Sequence, residues 1–473
     1  MKSSTLSFAS ITAITLFLLL SLSDVQGGSP GVAAGEGGNP ATDQPWRREL
    51  QDLGFTPSLE WDADVFVTAR GGIRQGAVAD GLIRLALDID GYQLTRSAIL
   101  HDTELHIEGI YPYGTDISTD VGELAAVNNN AAYNSPKLYE VWFQKAFQVG
   151  SVNGSLRIGL MGADQEFDVN DTAALLINGT FGAPLALGGT APVPVYPFSA
   201  LGVRLESSVG DDKRLKLTFR SGIYDGNSAA PEFGASSVGA PTSPAYNKYG
   251  IDFHLNPSTG LIILNELAFD FLGPRPGVPA PGAGRWFIGP GHVLIGGFYA
   301  TNRFENIYQA QLQRSGVAEA LTPPADLSGD YGVYSLWEQQ FYQDTPKSAG
   351  GLYLFARGLA VPADRNFVTV SAETGAVYKG VLRRQADLRD SVGVGFAYNS
   401  ISNNVRRADE VARQAGVPEA PNLESEAVIE ATYVLPITSN WRLQPDVQWI
   451  ICPDGIAYSR NALVIGLRSI LTF

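Results

Sequence analysis

Along much of this chain apolar and polar residues alternate with a period of two, and the polar row is ionised. LEWDADVFVTAR sets Leu59, Trp61, Ala63, Val65 and Val67 against Glu60, Asp62, Asp64, Thr68 and Arg70, with Phe66 alone out of place. GLIRLALDID sets Ile83, Leu85, Leu87 and Ile89 against Arg84, Ala86, Asp88 and Asp90. The final stretch, NALVIGLRSILTF, puts Leu463, Ile465, Leu467, Leu471 and Phe473 in one row and Arg468 in the other. Successive strand side chains point to opposite faces, so this is a β period and not a helical one. Few soluble strands carry ionisable groups so regularly on their second face. A wall with lipid outside and water inside needs both rows, which predicts an all-β, transmembrane, antiparallel β-barrel.

Further strand-length segments fall around 103–111, 138–149, 154–162, 200–208, 213–222, 249–257, 260–271, 290–300, 303–312, 332–343, 350–358, 366–379, 391–400, 426–435 and 441–450. About sixteen strands between Ser58 and Phe473 leave roughly twenty-six residues for each strand and its connection, within the range of such barrels. Long Pro- and Gly-rich connections at 182–197 and 273–284, and the stretch 401–425, are awkward inside a compact soluble domain but ordinary as extracellular loops. Before the barrel, Lys2, the apolar run Ile11 to Leu22 and Val25-Gln26-Gly27 read as a secretory signal peptide over 1–27, too short to span a bilayer as a helix. Residues 28–57 then hold a disordered linker and a short helix over Pro45 to Leu53, which Gly54 stops, near the periplasmic mouth. The barrel occupies 58–473.

Composition excludes several classes. Charged residues at 17% and a mean hydropathy of zero are too polar for a membrane helix bundle. A formal charge of −15 argues against a nucleic-acid partner. One cysteine, Cys452, rules out an internal disulfide, cysteine-cluster metal sites and iron–sulfur centres. No G-x-S-x-G elbow, Walker loop or zinc-ligand pair appears, so no catalytic residue is nominated. Gly393 and Gly395 lie in a strand pattern, with no phosphate-binding helix behind them. Asp164, Glu166, Asp168 and Asn170 would aim four oxygens the same way if extended, but Val169 and Leu175 occupy the places where a calcium loop needs Gly and an acid. The expectation is no metal and no cofactor.

The segments also resemble, from Trp46 to Phe473, the carbohydrate-selective porins of the OprB family. The matching stretches are GLMGADQEFDVNDTAALLINGTFG (159–182), VYPFSALGVRLE (195–206), SGIYDGNS (221–228), GDYGVYSLWEQQFYQ (329–343), residues 350–402, and ESEAVIEATYVLPITSNWRLQPDVQWIICPDG with GLRSILTF. The resemblance implies a sixteen-stranded barrel that lets sugars and small ions diffuse through the cell outer membrane, narrowed by loops folded into the lumen. The terminal Phe473 resembles the signal read by the barrel assembly machinery. Sec-type export, outer-membrane lipid as surroundings and an open oligomeric state complete the expectation. The rival reading is a secreted or surface β-rich carbohydrate-binding protein without a pore.

A neutral sugar must exchange water hydrogen bonds for protein ones without being trapped. Carboxylates accept from hydroxyls and arginines donate. Candidates for the sugar path, taken from polar rows or the matching motifs, are Arg84, Asp88, Glu140, Arg157, Arg204, Glu206, Arg220, Glu266, Arg357, Glu430, Asp446 and Arg468. Trp142, Trp337 and Trp449 offer flat faces for sugar rings, although a place in the interfacial aromatic girdles is the expected assignment for each.

Overall fold

A computed structural model describes residues 45–189, 191–211, 215–226, 247–253, 255, 259–271, 285–286, 289–317, 324–344, 350–383, 385, 388–417 and 421–473. The expected leader, the linker up to residue 44 and the segment 273–284 lie outside the described residues. The expected short helix is present as α1, Pro45–Asp52. Sixteen strands follow, each antiparallel to the next. They are β1 Phe55–Arg70, β2 Gly76–Asp90, β3 Thr103–Gly114, β4 Lys137–Val149, β5 Val152–Met161, β6 Ala200–Asp211, β7 Leu215–Asp225 and β8 Leu261–Phe271. The remainder are β9 Gly291–Glu305, β10 Asp326–Gln343, β11 Gly351–Ala360, β12 Val368–Lys379, β13 Ser391–Ile401, β14 Ser425–Thr438, β15 Trp441–Ile451 and β16 Ala462–Thr472. A two-residue piece, Arg285–Trp286, adds a short bridge to β10. β1 pairs with β16 from Glu60↔Thr472 to Thr68↔Val464, which closes the sheet. Closure removes both open edges and lets every strand satisfy its backbone groups laterally, as lipid requires.

Burial alternates along the strands as the sequence alternates. Val65, Leu85, Phe143, Leu156, Ile158, Phe219, Ile295, Val394, Phe396, Ile465 and Leu467 are all exposed on the outer face. So large an apolar belt is incompatible with water on the outside, which weighs against the soluble sugar-binding alternative. Phe66, the one break in the β1 pattern, points inward and is fully buried with Ile117, Val121, Val127, Phe181 and Phe355. Its register partner is Gly466, where a Cβ would come within 2.3 Å of the Phe66 ring. Inward-folded loop residues give that aromatic a core, which strand periodicity cannot foresee.

Two expected strands are absent. Residues 249–253 and 255 lie in turn and irregular structure, where Tyr249 accepts a backbone hydrogen bond from Leu138 N at 2.9 Å. Segment 303–312 instead ends β9 and enters helix α2, Ile307–Arg314, because Asn306 caps the helix by accepting from Gln309 N at 3.2 Å. A second loop helix, α3, Asn403–Gln414, lies in the stretch 401–425 and is capped by Ser402. The two helices meet where Gln311 Nε2 donates to Asp409 Oδ1 at 2.8 Å. Phe271 and Gly291 pair with each other, and Phe271 pairs with Leu215, at the rim that carries the 150–151 turn.

Candidate functional site

All twelve charged candidates lie on the inner face, opposite the exposed apolar row. Strand register sets opposite charges side by side there. Glu60 pairs with Arg84, Glu206 with Arg220, Arg220 with Glu266 and Arg357 with Glu373. Arg220 Nε donates to Glu206 Oε2 at 2.7 Å and its Nη1 to Glu266 Oε1 at 2.8 Å. Arg84 approaches Glu60 at 3.9 Å and Glu108 at 3.5 Å, and Arg442 reaches Glu60 at 3.9 Å. Asp88 meets His106 Nδ1 at 2.5 Å. Arg84, Asp88, Glu206 and Arg220 are the more accessible members, Arg84 keeping 30% of its side chain exposed and Glu206 28%.

The other candidates are buried, Arg157 only partly, because two loops fold into the barrel and rest on them. The first loop, residues 115–136, docks on β1, β2, β15 and β16. Arg468 Nε bridges both Asp64 oxygens at 3.1 Å, and its Nη2 donates to the side chains of Asn128 and Asn129. Asn128 Nδ2 also donates to Asp64 Oδ2 and Asp80 Oδ2, each at 2.9 Å, while Asn130 Nδ2 donates to Asp62 Oδ2 at 2.8 Å. Gln448 Nε2 bridges Asp446 Oδ1 and the Val127 carbonyl, both at 2.9 Å. The Asp446 candidate therefore acts through this loop contact.

The second loop, residues 162–199, is held along its length by wall carboxylates that accept its backbone N–H groups. Glu140 Oε1 accepts from Gly162 N at 2.8 Å, Glu266 Oε2 from Asp168 N at 2.8 Å and Glu338 Oε1 from Thr172 N at 2.5 Å. Glu430 takes Ile177 N at 2.5 Å and Asn178 N at 2.9 Å. Arg157 and Arg204 both grip Glu166, and Arg357 donates to the carbonyls of Asp168, Phe181 and Gly182 at 2.8, 2.9 and 2.7 Å. Hydrogen bonds with an ionised partner are the strong ones. A loop carrying many unpaired backbone groups can occupy a barrel interior only where the wall supplies such partners.

The stretch Asp164–Asn170 is not extended. Asp164 Oδ2 accepts from Tyr196 N at 2.8 Å, Glu166 faces the two arginines, Asp168 lies 3.6 Å from Arg357 Nη1, and Asn170 Oδ1 accepts from Ala173 N at 2.9 Å. The four side chains serve separate partners and do not converge on one ion. Burial raises the Asp164 carboxyl to about 6 and the Asp168 carboxyl to about 7, the latter against the pull of Arg357. In the first loop, burial and then the nearby Glu426 push the Glu123 carboxyl well above the usual range.

The tryptophans divide. Trp142 faces inward, buried, with its ring stacked on His106 at 4.7 Å and the Arg157 guanidinium 3.5 Å from its centroid. The girdle assignment is wrong for Trp142, which lies two residues from Glu140 in the same inward row, opposite His106 in unbroken register. Trp337 and Trp449 lie in the outer row with Val333 and Val447, so neither reaches the lumen.

The family model of the carbohydrate-selective porin, OprB family, matches residues 76–473. This chain belongs to that family. Porin B of Pseudomonas aeruginosa is 26% identical over 188 residues, 38% of this chain and 40% of that protein, so the match spans less than half the relative's length. The structure of Pseudomonas putida OprB at high pH superposes with a TM-score of 0.74 at 19% identity, covering 93% of this chain and 99% of the other. Family and fold are those of an outer-membrane channel.

Within this OprB-family barrel, sequence reasoning missed the loop-side partners. Asn128 and Asn130 lie in the NNN run, and Glu338 lies in the polar row of the 332–343 segment. Those signals were visible. What could not be read was that a loop would come to meet them.

Proposed function

We propose that this chain forms a passive channel through which sugars and small ions diffuse across the outer membrane into the periplasm. One observation carries the reading. The wall of a closed, lipid-belted barrel presents cross-strand pairs of opposite charge, with Glu60, Arg84, Glu206 and Arg220 still accessible after two loops have narrowed the interior. Alternating donors and acceptors suit an uncharged polyhydroxyl permeant, since each hydroxyl finds a partner along the pairs. The rim with the chain end and the 150–151 turn is the periplasmic one in this reading, and the rim bearing α2 and α3 faces outward. Sec-type export of a leader over residues 1–27, lipid around the belt, and recognition of Phe473 by the assembly machinery belong to the same proposal. The outer belt also leaves room for association with further copies of the chain.

Purified barrel in planar bilayers tests the function. Stepwise conductance should fall reversibly as mono- or disaccharide is added, and sugar-loaded vesicles should swell at a rate set by sugar size. A protein that stays soluble without detergent and produces no conductance steps would overturn the reading.

A further inference from the structure

One cluster on the inner wall does more than hold a loop. His106 and Glu108 stand two residues apart on β3, and Glu140 is the register partner of Glu108 on β4. One ligating atom from each lies within 4.8 Å of the others, and His106 Nε2 is 3.5 Å from Glu108 Oε2. Asp88 Oδ1, 2.5 Å from His106 Nδ1, fixes a proton on that nitrogen. With that proton held on Nδ1, Nε2 faces Glu108 and Glu140 and becomes a metal ligand by giving up its own proton as the cation enters. Protein metal sites use this arrangement, in which an outer carboxylate orients the ligating imidazole. Glu140 is itself held by Trp142 Nε1 at 2.9 Å and Gly162 N at 2.8 Å, and Glu108 turns its Oε1 to Arg84 at 3.5 Å, leaving Oε2 for the cluster.

A separate observation points to the same place. The Tyr139 side chain is fully buried, and among the described residues its hydroxyl makes no hydrogen bond of good geometry. A Cβ placed on Gly162 would lie 2.8 Å from that hydroxyl oxygen and 3.4 Å from Glu140 Oε1. The Tyr139 hydroxyl and the Glu140 carboxylate therefore converge on the start of the loop at Gly162. Around His106, moreover, Asp88, Glu104, Glu108 and Glu140 outnumber Arg84 and Arg157, which leaves an excess of negative charge.

We propose that His106, Glu108 and Glu140 bind one divalent cation of the zinc class on the lumen wall. In a tetrahedral site with bonds of about 2.0–2.1 Å, ligand atoms lie about 3.4 Å apart. The His106–Glu108 pair is already at that spacing, and a Glu140 oxygen lies within 4.8 Å of both. An imidazole among carboxylates favours zinc over calcium or magnesium, which take oxygen ligands. Three protein ligands leave the fourth position to water.

The test is calorimetric titration of ZnCl2 into the chelator-treated, folded barrel in detergent. The expected result is one saturable site, weakened at least tenfold in both His106→Gln and the near-isosteric Glu108→Gln. His292→Gln should leave it unchanged, because His292 pairs with Asp270 at a different place on the wall. Heat-modifiable migration shows that each variant is folded, and Trp142 emission should change on zinc binding only where the site is intact. No saturable binding to the folded wild type would overturn the proposal. Wild-type affinity in folded His106→Gln, or equal affinity for MgCl2, would overturn it as well.

Discussion

Arg357 carries more of the inward loop than any single strand position chosen from the sequence suggested. Its guanidinium is 4% exposed as a residue and meets Glu373 at 2.5 Å on the neighbouring strand and three loop carbonyls on the other side. Removing one partner of a buried ion pair costs about 3–5 kcal/mol, because the remaining charge is left uncompensated. Sheet closure does not depend on this contact, so the loss falls on loop docking. Arg357→Ala is therefore expected to give a folded barrel with larger and noisier single-channel conductance and faster proteolysis within 162–199. Arg357→Lys should sit between the two, since an ammonium cannot reproduce the planar fork. Wild-type conductance and protease resistance in Arg357→Ala would show that the loop stands without it. Trp142 gives the complementary lesson, because its residue type suited both a girdle and a lumen and its place in the same row as Glu140 chose between them.

Among the elements, the loop 162–199 is expected to dock less tightly as pH rises. Its Asp164 and Asp168 carboxyls are raised to about 6 and about 7 by burial, against about 3.9 for a solvated Asp. A carboxyl raised in the docked state binds its proton more tightly there than when released. Docking is thus strongest below about pH 4 and weakens as pH rises through 6 and 7. Conductance recorded from pH 4 to pH 8 should rise and become noisier toward the upper end. Asp168→Asn, which keeps the neutral shape, should flatten that dependence. Tighter closure at high pH would mean instead that attraction between ionised Asp168 and Arg357 controls the loop. The helices α2 and α3 make a related point about element prediction. Apolar spacing around 303–312 was read as a strand, yet the Asn306 cap and the Ser402 cap both mark helix starts in the sequence itself.

For the whole molecule, the two faces of β2 should respond oppositely to substitution. Leu85 is 58% exposed on the outer belt, and placing Arg or Lys near the bilayer midplane on such a face costs about 2–4 kcal/mol. Leu85→Arg is expected to lower folding yield in lipid vesicles. Arg84→Ala should fold normally and alter ion preference or sugar block, because it deletes one accessible lumen charge beside Glu60 and Glu108. Equal folding defects in both variants would place the register in doubt. At the seam, Phe473 N donates to Leu59 O at 2.8 Å and Leu59 N to Phe473 O at 3.2 Å, joining the end of the chain to β1. Phe473→Asp should therefore reduce the amount of heat-modifiable barrel reaching the membrane. Normal levels of that variant would remove the terminal aromatic from the assembly signal.

Strand existence, face assignment and closure into a wall of about sixteen strands were legible in the sequence, because a period of two is local and lipid on one side forces it to repeat. The inner location of Arg84, Arg204, Glu430 and Arg468 followed from the same period. Their partners did not. Arg468 meets Asn128 across 340 positions and Glu430 meets Ile177 across 253, and no local pattern encodes such distances. The same applies to Phe66, which breaks the β1 pattern until Val121 and Val127 arrive to cover it. Strand alternation told each side chain which face to occupy; whether that face would meet water, a permeant or a folded-in loop was decided only when the sheet closed and the loops had one interior to share.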